Sequence, residues 1–182
     1  MCYIDGMNNR TKKVVLYGIL IAVALILSYV ESLIPAFFAI PGIKLGLTNL
    51  VVILALYLIG WKSALVINIL RIILVSVLFG NSVSLIYSAA GAILSGAVMI
   101  LLKHSGKFSM ITVSIVGGVL HNVGQILVAM LILGTASVGW YLVILWFSGI
   151  AAGAVIGIIS ALICKRLEPH FNKIFGKIEN RA

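Results

Sequence analysis

Acidic residues are nearly missing from this chain: four among 182, with Asp5 the only aspartate. That excludes chemistry in which an aspartate cluster holds magnesium against a diphosphate. No glycine-rich loop runs into the lysine of an ATP-binding P-loop, so the chain does not itself hydrolyse ATP. The two cysteines, Cys2 and Cys164, lie at opposite ends, and no His, Cys or carboxylate set has metal-ligand spacing. No catalytic residue, metal or cofactor is expected. Charge of any sign is scarce, with 13 Lys and Arg added to the four acids. Soluble domains carry roughly a quarter charged residues.

What is there instead is hydrocarbon. The chain is 63% hydrophobic, more than a soluble core of this size can hide, so the bilayer must be its solvent. Six apolar segments are expected to form helices: Val14–Pro35, Leu45–Ile59, Ser63–Phe79, Ser84–Leu102, Met110–Leu133 and Trp140–Cys164. Crossing the hydrocarbon takes about 20 helical residues. The second and third segments are at the lower edge of that length, and only Gly60-Trp61-Lys62 separates them. The first follows basic residues as a signal peptide does, but its apolar run is too long, so it reads as a retained helix. An all-α six-transmembrane-helix bundle over 14–166 follows, preceded by a short segment, 1–13, and followed by a tail, 167–182.

The net charge of +9 would suit nucleic acid, but the basic residues sit between hydrophobic segments and act as topology signals instead. With the N-terminus inside, eleven Lys and Arg fall on the cytoplasmic side against Lys44 alone outside. That asymmetry predicts a cell-membrane protein with both termini cytoplasmic. In the tail, Leu167, Phe171, Ile174, Phe175 and Ile178 recur at helical spacing among lysines, with Pro169 in a first turn. This predicts a short amphipathic helix that rests on the inner leaflet or docks a cytoplasmic partner.

Small residues recur at every fourth position on three segments. Gly149, Gly153 and Gly157 mark the sixth, and Ser88, Ala92 and Gly96 the fourth. Such ridges let helix backbones approach closely in lipid, and packing within the bundle is expected for both. The first segment carries two pairs, Gly18 with Ala22 and Ala24 with Ser28, at an edge of the bundle where a partner helix could dock.

Polar residues inside the segments are few and they cluster. Val66-Ile-Asn-Ile-Leu-Arg-Ile-Ile-Leu-Val75 places Asn68 and Arg71 on one face near the bilayer midplane, a turn apart. His121 and Gln125 share a face of the fifth segment. Glu31, Thr48 and Asn49 are expected nearer the outer surface. An intramembrane ion costs about 2.5–3.5 kcal/mol or more, so it must be turned inward and satisfied. Arg71 then either pairs with Glu31, roughly 10 Å away in depth by residue counting, or lines a hydrated cavity that takes a ligand. The second alternative makes Arg71, Asn68, His121, Gln125 and Asn49 the candidate binding residues, with Lys44 at the mouth.

The stretch Pro41-Gly-Ile-Lys-Leu-Gly-Leu-Thr-Asn49 resembles the membrane family labelled heptaprenyl diphosphate synthase component I, also called the Gx transporter family. Asn68-Ile-Leu-Arg71, Tyr87-Ser-Ala-Ala-Gly-Ala-Ile-Leu-Ser-Gly96 and Gly117-Gly-Val-Leu-His-Asn-Val-Gly-Gln125 fit it too. That family is similar in turn to the substrate-binding S components of energy-coupling factor (ECF) transporters, six-helix proteins whose first helix docks a T component through small-residue motifs. The resemblance implies a binding subunit for a small polar or anionic solute, partnered by a T component and ATPase subunits. It equally allows a non-catalytic membrane subunit of a heptaprenyl diphosphate synthase, serving quinone side-chain synthesis. A structural partner in a membrane redox complex is a third possibility.

Overall fold

The computed structural model describes residues 8–33, 46–79 and 82–175. Among them the chain is wholly helical: α1 (Asn9–Leu33), α2 (Asn49–Leu58), α3 (Trp61–Phe79), α4 (Ser82–Ser105), α5 (Met110–Leu133) and α6 (Tyr141–Phe175). A 3₁₀ turn, Ala136–Trp140, joins the last two helices, and the Thr135 hydroxyl caps it by accepting from the Ser137 N–H. Five helices are long and apolar enough to cross a membrane. Large apolar side chains such as Val14, Val77, Ile93, Leu131 and Phe147 point outward, while Glu31, Asn68, Arg71, His121 and Gln125 are buried. Apolar outside and polar inside is the inverse of a soluble fold, and the chain is a multi-pass membrane protein.

The expectation of six spanning helices is corrected at α2. It has only ten residues, about 15 Å, or half the hydrocarbon thickness. It is also the most enclosed helix. Val51, Ile53, Ala55 and Leu56 are essentially inaccessible, because α1, α3, α5 and α6 all pack on it. A helix hydrophobic all round has no solvated face to show, and this one is sheathed by its neighbours.

The separate amphipathic tail helix is corrected as well. The stretch from Lys165 to Phe175 continues α6 without a break, and Pro169 lies inside that helix. At 35 residues α6 is about 52 Å long, well beyond the hydrocarbon thickness, so its last turns leave the membrane. The part of the tail beyond 175 is outside the described residues.

The extensive α5–α6 seam is built on the predicted glycine ridge. A Cβ at Gly153 would fall 2.7 Å from the Ile115 Cα, and one at Gly157 would fall 2.8 Å from the Ile111 Cα. Helix α1 packs mainly on α3 and α2, at the edge of the bundle. Tyr17 hydrogen-bonds Ser63, and the Lys103 ammonium donates to the Leu56 carbonyl at 2.7 Å, capping the C-terminal end of α2. These contacts gather the start of α1, the α2–α3 turn and the end of α4 at one end of the bundle. Arg10, Lys12, Lys13, Lys62, Lys103 and Lys107 therefore share that end.

Candidate functional site

The half-length α2 begins at mid-depth, and its start faces Arg71. Arg71 is ten residues along α3 from Trp61, and Thr48 is ten residues back from Leu58, so both stand about 15 Å above the basic end. The Arg71 Nη1 donates to the Thr48 hydroxyl, and Nη2 donates to the Asn68 Oδ1 at 2.7 Å. Both acceptors are neutral. Nε is buried without a hydrogen-bond partner among the described residues. A guanidinium offers five N–H donors and keeps its charge, so two neutral acceptors leave it under-used.

Arg71 lines a cavity together with Glu31, Gly46, Thr48, Ser88 and His121. The cavity is about 10 Å³, the room of one water. Glu31 thus shares the cavity with Arg71 and sits within its electrostatic reach. The Gly46 N–H donates to the Glu31 carboxylate, and its φ of +85° is one that only glycine adopts cheaply. Backbone geometry at that glycine and the carboxylate of α1 are therefore coupled.

His121 of α5 is clamped from three sides. Its Nε2 lies 2.9 Å from the Gln125 Nε2, in a contact where the amide donates to the ring nitrogen. A Cβ at Gly91 of α4 would fall 2.8 Å from its Nδ1 and 2.7 Å from its carbonyl oxygen, so the glycine makes room for the ring. Gly46 approaches the other edge, where a Cβ would lie 3.8 Å from the ring Cδ2. Gln125 is fully buried behind the ring and outside the cavity lining, where it sets ring orientation. Asn122, the next residue along, serves the fold: its Nδ2 donates to the Leu145 carbonyl of α6 at 2.8 Å.

Of the candidate residues, the structure brings Arg71 and His121 to one cavity and holds Asn68 and Gln125 directly behind them. Asn49 is buried one residue past Thr48 and packs toward Gly46. Lys44 lies outside the described residues. Thr48, Ser88 and Glu31 belong to the cavity and were not among the candidate binding residues. Thr48 and Ser88 carry no charge to mark them, and only the antiparallel pairing of helices brings them opposite Arg71.

The first-helix pairs separate. Gly18 and Ala22 are exposed on the outer face of α1 beside Val15, Ile19 and Ile26. Ala24 and Ser28 are buried, Ala24 in the core with Val51 and Ile67, so that pair packs inside this chain rather than on a partner.

The heptaprenyl diphosphate synthase component I family matches residues 20–163, which span the whole constellation from Glu31 to Gln125. The chain belongs to that family. Its description is of one component of a heptaprenyl diphosphate synthase. Neither the curated proteins nor the solved structures contain a match to it.

Proposed function

We propose that the protein is a membrane-embedded binding subunit for a small polar or anionic solute, which it delivers to an ATP-driven partner module of the ECF kind. The observation that carries this is Arg71: a permanent cation at mid-membrane, more than nine-tenths buried, whose hydrogen bonds go to neutral acceptors. A purely structural cation is more economically satisfied by a carboxylate fork. The start of α2 beside it adds the positive end of a helix dipole, as the broken helices of transporters do at their substrate sites. The exposed Gly18–Ala22 face supports docking of a T component. The concentration of lysine and arginine at one end supports cytoplasmic termini in the cell membrane. The test is mass spectrometry of small molecules retained by the purified protein. A solute carried by the wild type and missing from Arg71→Leu supports the reading, and identical retention by both refutes it.

The family description favours a second reading, in which the chain is the membrane partner of a separate prenyl diphosphate synthase. Affinity purification from native membranes separates the two. ATPase and T subunits accompany a transporter component, whereas a soluble aspartate-rich synthase accompanies an accessory subunit.

A further inference from the structure

Ser88, Ala92 and Gly96 form a ridge of small residues on α4 that predicts close packing of a neighbouring helix. Close packing occurs elsewhere on α4, at Gly91, where a Cβ on the facing Gly124 would fall 2.8 Å from the Gly91 Cα. A Cβ at Gly96 would meet nothing within 4 Å. The ridge instead floors two cavities that follow one another along the α3–α4 seam. The polar one takes Arg71, Ile72 and Val75 from α3 and Ser88 from α4. The other takes Ala64, Leu65 and Asn68 from α3 and Ala92, Gly96 and Ala97 from α4. Numbers fall along α3 as they rise along α4, so the cavities follow one another along the seam, with Arg71 lining one and Asn68 the other, about one helical turn apart.

The second cavity is about 220 Å³, and Asn68 is its single polar lining residue. Leu65 and Ile93 on its flank are 41% and 72% exposed, so it opens sideways to the membrane. An apolar cavity of about 150 Å³ takes benzene, so this one has room for roughly eight or nine carbons. At the joint, Nη2 of Arg71 is parked on Asn68 while the adjoining Nε has no partner. An oxyanion that replaced the Asn68 oxygen would take Nε and Nη2 together as a bidentate fork. The other charged group of the polar cavity, Glu31, accepts from the Gly46 backbone.

Resting on the reading of Arg71 as a ligand-binding cation, we propose that the α3–α4 seam is one slot for a single-chain amphiphile. A carboxylate or phosphate head engages Arg71 at the joint, and a chain of about eight carbons lies along Ala92 and Gly96 toward the basic end of the bundle. The polar cavity, with room for one water, need not hold the head, because the head exchanges with Asn68 rather than entering it.

Calorimetry of the protein in nanodiscs, with empty discs subtracted, tests this with octyl phosphate, butyl phosphate and octanol. Each buried methylene adds about fourfold in affinity, so octyl phosphate should bind at least about tenfold tighter than butyl phosphate. Gly96→Leu should cancel that advantage while leaving butyl phosphate unchanged. Ala97→Leu, on the open flank, should do the same and serves if Gly96→Leu fails to fold. Equal binding of the two phosphates, or an octyl advantage untouched by both leucines, overturns the slot and leaves the solute-binding reading standing. Octanol binding as tightly as octyl phosphate means that the groove holds membrane hydrocarbon only, and also overturns it. Binding of neither phosphate overturns the slot and the anion site together.

Discussion

Arg71 of α3 reaches across to Thr48 at the start of α2, and its guanidinium donates to the threonine hydroxyl. Among the described residues, that contact joins the only half-length helix to the only buried permanent cation.

Thr48→Val keeps the shape of the side chain and removes the acceptor. The stranded N–H should cost about 1–3 kcal/mol, while Thr48→Ser should cost little. Thermal unfolding of the purified variants in detergent checks this, and equal stability of Val and Ser would show that the contact contributes nothing.

Two glycines on α4 should respond in opposite ways. Gly91→Ala drives a methyl group into the His121 ring and backbone, and overpacking of that kind costs about 1–3 kcal/mol. Gly96→Ala points into open space and should be neutral or slightly stabilising, since alanine favours the helix by about 1 kcal/mol. Unfolding midpoints of the two single variants report the contrast directly.

Membrane orientation is open to labelling. In a background with Cys2 and Cys164 replaced by serine, an impermeant maleimide applied to intact cells should modify Ser82→Cys at the start of α4. It should spare Lys107→Cys, in the exposed turn at the basic end. The reverse pattern would invert the topology.

Docking through α1 predicts that Gly18→Leu combined with Ala22→Leu leaves the purified subunit folded, because both positions face outward. The same pair should abolish copurification with a T component. Undiminished copurification would make this face ordinary lipid contact. Ala24→Leu is the internal control: it enters the core beside Val51 and Ile67, and should destabilise the subunit itself.

The membrane class, most helix positions and the burial of Arg71, Asn68, His121 and Gln125 were legible in the sequence, because an ion or amide in an apolar run is costly wherever the run folds. The half-length of α2 was not, since Leu45–Ile59 is largely apolar and hydropathy does not register where a helix begins. The α4 ridge misled for a related reason: small residues permit close approach without requiring it, and here they leave a groove. Glu31 was legible as one alternative partner of Arg71, whereas Thr48 and Ser88 were not legible as cavity residues, because neither carries a charge to mark it. The continuity of the tail with α6 was not legible, because Pro169 suits a first turn and here lies inside the helix instead.

The role of Arg71 is decided by stability and ligand retention measured together on Arg71→Leu, Glu31→Gln and the double variant. If Arg71 serves a ligand, Arg71→Leu leaves the fold nearly intact and removes binding. Arg71→Lys then recovers binding only in part, because an ammonium lacks the planar fork. If the cation exists to hold α3 against α1, removing it strands a buried carboxylate at a cost of about 3–5 kcal/mol, and the double variant restores stability. The account predicts the first result; a strong loss in Arg71→Leu rescued by adding Glu31→Gln would contradict it.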